Sequence, residues 1–142
     1  MVAADNPVFQ EWYAQAQAPV PAYVRVVQEP PGQPYSAAVT GENTIHWAYD
    51  PAATESFSLS RPLFFHELGH VYDNTSLSNR KRNLIRHLFH WPTFAWFFEK
   101  FAQGYAYCAS GQYPIEGYYG YSYHPWPWKH QRFCKLLWGW RR

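Results

Sequence analysis

The string His66-Glu67-Leu68-Gly69-His70 constrains this chain more than any other feature. Its neighbours Leu63, Phe64, Phe65, Val71 and Tyr72 are bulky and uncharged, so the segment reads as a buried helix. On a helix, residues four apart share one face, with Cβ atoms about 5–6 Å apart. Two imidazoles and a carboxylate on such a helix are costly to bury unless something pairs them. A metal does so: the two rings can converge on one Zn²⁺ at roughly 2.0–2.1 Å per bond. Glu67 then lies beside the ion and can take a proton from water that zinc has acidified to a pKa of about 7. The alternative is an amphipathic helix whose histidines bond to backbone. Gly69 costs about 1 kcal/mol relative to Ala in a helix interior. Close approach of another helix, close approach of substrate backbone, or tight packing alone would explain it.

A catalytic zinc needs a third protein ligand and one open position. The spacing that places a third histidine soon after a glycine would put it at residue 76, which is Ser76. The downstream candidates are Glu99, His87, His90, His124 and His130. Glu99 is favoured because it sits among Trp96, Phe97, Phe98 and Phe101, where an acid is expensive unless it faces a cation. His87 and His90 read as flanks of a solvated helix. A fourth ligand from His124 or His130 would close the site. The chain would then be a zinc-stabilised binding or virion-associated protein rather than an enzyme.

The chain has 142 residues, which suits one domain over residues 1–142 with a core that needs no disulfide. A formal net charge of only +2 argues against a general nucleic-acid binder. The run Arg80, Lys81, Arg82 and Arg86 reads as a solvated helix face. The start, MVAADNPVFQEW, lacks a basic n-region and an apolar h-region, so no signal peptide is expected. No stretch approaches about 18 consecutive apolar residues, so no membrane span is expected either; cytoplasm and virion both stay open. Cys108 and Cys134 are free buried thiols by default without a secretion signal, with one bridge between two late helices as the alternative.

Asn6 and Pro7 open a short helix over residues 6–17. Residues 23–28, 35–40 and 44–49 read as strands, with a turn at Gly41-Glu42-Asn43. Together they suggest a small antiparallel sheet. Ser60 is the expected N-cap of the motif helix, with Pro62 in its first turn, and residues 74–78 end it. Helices follow over about 79–89, 92–109 and 128–138, with 110–128 mostly irregular. Sheet first and helices after is an α+β order.

HELGHVYD followed by Glu99-Lys100-Phe101-Ala102-Gln103-Gly104-Tyr105 resembles the gluzincin branch of the zincin-like metallopeptidases. The likeness extends over residues 44–138 and is greatest to small HExxH proteins of actinobacteria and their phages. It is more distant to the catalytic domain of anthrax lethal factor and to the Pro-Pro endopeptidases. It implies zinc-dependent hydrolysis of a peptide or protein substrate, with His66, His70 and Glu99 as ligands and Glu67 as general base. The later string YGYSYHPWPWKHQRFCKLL shares the pattern, cysteines included, which implies a Cys108–Cys134 bridge. It also implies that residues 44–49 form the edge strand on which substrate adds. Where the family carries an acid four residues after the ligand glutamate, this chain has Gln103. Residue 103 can still accept a hydrogen bond from a ligand histidine. Asp73 is a second candidate for that role, or simply a residue of the helix's last turn. The lethal factor tyrosine has no counterpart in His90-Trp91-Pro92-Thr93. Tyr121, Tyr123 and His130 are therefore candidates to stabilise an oxyanion, against ordinary packing for each. The aromatic segment 118–128 could alternatively stack on sugars.

Overall fold

The computed structural model describes residues 1–30, 33–48, 57–91, 94–111, 123 and 125–139. In chain order the elements are β1 (Val2–Ala3), α1 (Val8–Gln15), β2 (Val24–Gln28), β3 (Ala37–Thr40), β4 (Thr44–Trp47), α2 (Phe57–Thr75), α3 (Asn79–Phe89), α4 (Phe94–Ser110) and α5 (Pro127–Leu137). The class is α+β, as the order of strand-like and helix-like segments suggests. Local signals placed most boundaries. Asn6 Oδ1 accepts from the Val8 N–H at 3.0 Å, and Ser78 caps α3 through the Lys81 N–H at 3.1 Å. His90 ends α3 in the left-handed region at φ 56°. The motif helix starts earlier than expected. Ser60 is not its cap, because α2 begins at Phe57 and runs through Pro62.

The sheet is mixed, not antiparallel. Its order is β1-β2-β4-β3: β1 and β2 are parallel, β2 and β4 are parallel, and β4 and β3 are antiparallel. The tight turn after Thr40, with Gly41 at φ 58°, folds β3 back on β4 with Thr40 opposite Thr44. β4 then takes the place beside β2, and β3 becomes the edge. The edge strand is therefore Ala37–Thr40, and the segment expected to be the edge, residues 44–49, is interior where it is described.

Period-two burial shows which sheet face is packed. Val24, Val26, Ile45 and Trp47 point into the core, while Arg25 and His46 point out. His46 ties the outer face together, with Nδ1 2.7 Å from Glu29 Oε1 and Nε2 2.6 Å from Thr40 Oγ1. Against the inner face lie α1 and α2. Phe64 of α2 meets Phe9 at 5.4 Å, Trp12 at 5.8 Å and Trp47 at 6.4 Å between ring centroids. Each such buried ring contributes roughly 1.5–3 kcal/mol. A second cluster welds α4 to its neighbours: Tyr72 stacks on Tyr105 at 5.5 Å, and Phe101 meets Phe133 of α5 at 5.7 Å. No helix among the described residues is long and apolar enough to cross a membrane.

The helix α4 is gripped on two sides, and a glycine makes room on each. A Cβ at Gly69 of α2 would stand 3.0 Å from the Ala102 Cα and from the Tyr105 Cβ. A Cβ at Gly104 would stand 2.8 Å from the Phe133 ring and 2.9 Å from the Tyr123 ring. Gly69 thus serves close approach of another helix. Ala at 69 gains about 1 kcal/mol of helix propensity but must push backbone away, an overpacking cost of about 1–3 kcal/mol. Gly69→Ala is expected to destabilise the fold by about 1 kcal/mol net, read as a lowered urea midpoint.

Candidate metal centre

Two helices build the site. His66 and His70 lie one turn apart on α2, and Glu99 comes from α4. His66 Nε2 is 3.1 Å from Glu99 Oε2, and His70 Nε2 is 3.0 Å from Glu99 Oε1, so each carboxylate oxygen faces one ring. The rings stand 5.0 Å apart at 79° to each other. The three donor atoms all lie within 4.8 Å of one another. An imidazole nitrogen and a carboxylate oxygen sharing a tetrahedral zinc stand about 3.4 Å apart, close to the separations seen. Among the described residues no fourth His, Cys, Asp or Glu joins this group.

His66 sharpens the case for a cation. Its Nδ1 lies 3.0 Å from Gln103 Oε1 while its Nε2 faces Glu99 Oε2. A neutral imidazole has one N–H and can satisfy only one of two acceptors. The other acceptor meets a lone pair unless a further positive charge, a ring proton or a metal ion, lies between them. Gln103 is fully buried; with its Oε1 accepting from Nδ1–H, Nε2 would be left to donate electrons to an ion.

The electrostatics are consistent with that demand. Burial pushes Glu99 up, but hydrogen bonds from both imidazoles and their charges outweigh it and hold the carboxyl well below the usual range. Burial lowers His70, yet its bond to Glu99 and the charges of Glu67, Glu99 and Asp73 shift it upward on balance. Glu67 is only 6% exposed. Burial raises its pKa, Glu99 adds to the rise, and the two histidines oppose it. Glu67 and the three donors line a cleft of about 450 Å³, walled by Ala38 and Val39 of β3, by Asn74 and by Phe98.

Comparison with protein-family models, curated proteins and solved structures finds no match to the chain. What the site can do is decided by its own geometry.

The structure brings His66, Glu67, His70, Glu99 and Gln103 together and sends other candidates elsewhere. Asp73 does not bond a ligand histidine. Its carboxylate, 1% exposed, takes Arg82 Nη2 at 2.6 Å and Nε at 3.2 Å. The basic run is accordingly not a wholly solvated face, since Lys81 Nζ also donates to Leu137 O at 3.0 Å. Tyr123 and His130 are buried and bonded to each other at 2.8 Å, and neither lines the cleft. Nor does His130 supply a fourth ligand. His87 and His90 are exposed. Tyr121, His124 and residues 118–122 of the aromatic segment 118–128 lie outside the described residues. Cys108 and Cys134 are bridged, so free thiols are not what the fold contains. Asn74 was missed although its spacing, four after His70, marks it: α2 continues past it to Thr75. Phe98 was visible as a bulky residue beside Glu99, but only the structure shows that it lines the cleft.

Two outcomes are expected. Replacing Gln103 by Leu should weaken divalent-metal binding about 10–100-fold, the usual effect of losing a ligand's outer partner, measurable by calorimetric titration. His130 is held neutral by burial, with its pKa pushed down to about 4 from 6.5. Between those values the unfolded chain takes a proton that the folded chain refuses, so stability falls as pH drops through that window. Denaturation midpoints should decline over that range, and less steeply in His130→Gln.

Proposed function

We propose that this protein is a zinc-dependent peptidase in which His66, His70 and Glu99 hold the ion and Glu67 is the general base. The observation that carries the reading is the convergence of His66, His70 and Glu99 at the floor of an open cleft, with a buried glutamate beside them. Two histidines and one carboxylate form a donor set suited to catalytic zinc, and three protein donors leave a position for solvent. The sequence resemblance to gluzincins supports the same assignment. Bound zinc supplies the Lewis acidity that acidifies water and polarises a carbonyl oxygen.

The chain's own groups supply the rest. Glu67 takes the proton of the attacking water and returns it to the leaving amine. Its buried carboxylate lines the same cleft as the three donors, which is the placement both proton transfers need. Gln103 keeps His66 in the ligating tautomer. The edge strand β3, whose Ala38 and Val39 wall the cleft, is the place for an extended substrate to add by main-chain hydrogen bonds. The zinc-stabilised, non-catalytic alternative needs a fourth protein ligand; of its two candidates His130 is engaged elsewhere, and His124 lies outside the described residues.

Purified protein should carry one zinc per chain, removable by chelator, and should cleave members of a peptide library. Glu67→Gln should keep the zinc and lose about 10²–10⁴ of the hydrolysis rate. Equal activity of this variant and wild type on any cleaved peptide would reject the mechanism.

A further inference from the structure

A second group of donors lies on the opposite face of α4. Glu99 and Cys108 are nine residues apart on that helix, about 2.5 turns, so they point to opposite sides. Facing Cys108 across the α4–α5 contact are His130 and Cys134, spaced i and i+4 on α5 like the histidine pair of α2. The donor atoms of Cys108, His130 and Cys134 all lie within 4.8 Å of one another. His130 Nε2 is 3.6 Å from Cys134 Sγ. A nitrogen at about 2.0–2.1 Å and a thiolate at about 2.3 Å from one tetrahedral zinc stand about 3.6 Å apart. The other ring nitrogen, Nδ1, lies 2.8 Å from Tyr123 Oη, an outer partner of the kind that orients ligand histidines. A bridge that merely staples α4 to α5 has no need of an imidazole at its sulfur.

We propose that reduction of the Cys108–Cys134 bridge opens a second metal site, in which two thiolates and His130 Nε2 hold a thiophilic divalent ion such as zinc. The bridge is reduced by a dithiol. Two electrons enter the sulfur–sulfur bond, the dithiol's two protons pass to Cys108 and Cys134, and the dithiol leaves as its own disulfide. Metal binding then displaces those two protons, and the two thiolates balance the ion's charge. Soft thiolates favour zinc and copper(I) over magnesium or calcium. The site is independent of the peptidase reading, since it shares no residue with the cleft.

Cobalt(II) is the probe. The whole protein, carrying His66→Ala and His70→Ala to silence the first site, is reduced with a dithiol, desalted without oxygen and titrated. Thiolate-to-cobalt charge-transfer absorption is expected at one equivalent in the reduced protein and not in the oxidised one. Cys134→Ser should abolish or strongly weaken it, and His130→Ala should lower cobalt affinity by at least about 10–100-fold, the cost of losing even a ligand's outer partner. Zinc should also shield both reduced thiols of the wild-type chain from alkylation while its helical circular dichroism persists. The proposal is overturned if thiol titration confirms reduction but no charge-transfer band forms. It is also overturned if the band and affinity survive in His130→Ala, or if reduction unfolds the chain, since the site requires α4 packed on α5.

Discussion

Where α2 crosses α4, Gly69 leaves no room for a side chain between the Ala102 backbone and the Tyr105 ring. That closeness sets the distance between the two helix faces carrying the donor atoms. His66 and His70 project from one wall and Glu99 from the other, and they meet at 3.0–3.1 Å only because the walls are so near. The stacked rings of Tyr72 and Tyr105 and the Phe101–Phe133 contact press α4 into place. Several of the buried rings among the described residues thus clamp α4. A second glycine, Gly104, admits the clamp from the other side.

Charge at the site has one theme. Two imidazoles, a carboxylate between them and a second, buried carboxylate beside them form a set in which every member asks for a neighbouring positive charge or proton. Glu99 expresses this by staying ionised, His70 by its upward shift, and Glu67 by holding its proton more firmly than an exposed glutamate. Asp73 contributes by its field rather than by contact, because Arg82 occupies its carboxylate. On the proposed reading, a single dication answers all of these demands and leaves Glu67 an ionised carboxylate able to accept a proton from water.

Much of the site was legible in the sequence because its parts are local or chemically conspicuous. The i, i+4 histidines declare one helix face, and an acid among Phe97, Phe98 and Phe101 declares a buried partner. Gln103 came from the resemblance, which marks the position four residues after Glu99, and the helical period puts it on the same face. The helix start at Asn6 was readable from a side chain that bonds the Val8 N–H, and α3 starts where the break over residues 74–78 was expected to end. Strand order was not readable. Residues 23–28, 35–40 and 44–49 carry the same β-favouring chemistry, and nothing local says that β4 rather than β3 lies beside β2. The mistaken edge strand came from the resemblance, and no local signal opposed it. Of the two readings of Asp73 the structure keeps the last-turn one; its partner, Arg82, was not readable, because it sits on the next helix and looked like one more solvated cation. Ser60 was a plausible cap, but a proline within a helix need not stand in its first turn when packing carries the helix through it. The pairing of Cys108 with Cys134 came from resemblance, since local spacing cannot select a bridge across two helices.

The position of β3 has a consequence for how the molecule behaves in company. A strand at the rim of a sheet invites another chain to zip onto it. Here the rim is only four residues long and ends in a glycine turn. That length suits a brief engagement with a short extended peptide and is poor footing for two copies of the sheet to fuse. On the proposed reading, lengthening the rim would widen grip and raise the danger of self-association together, so the brevity of β3 would balance capture against solubility.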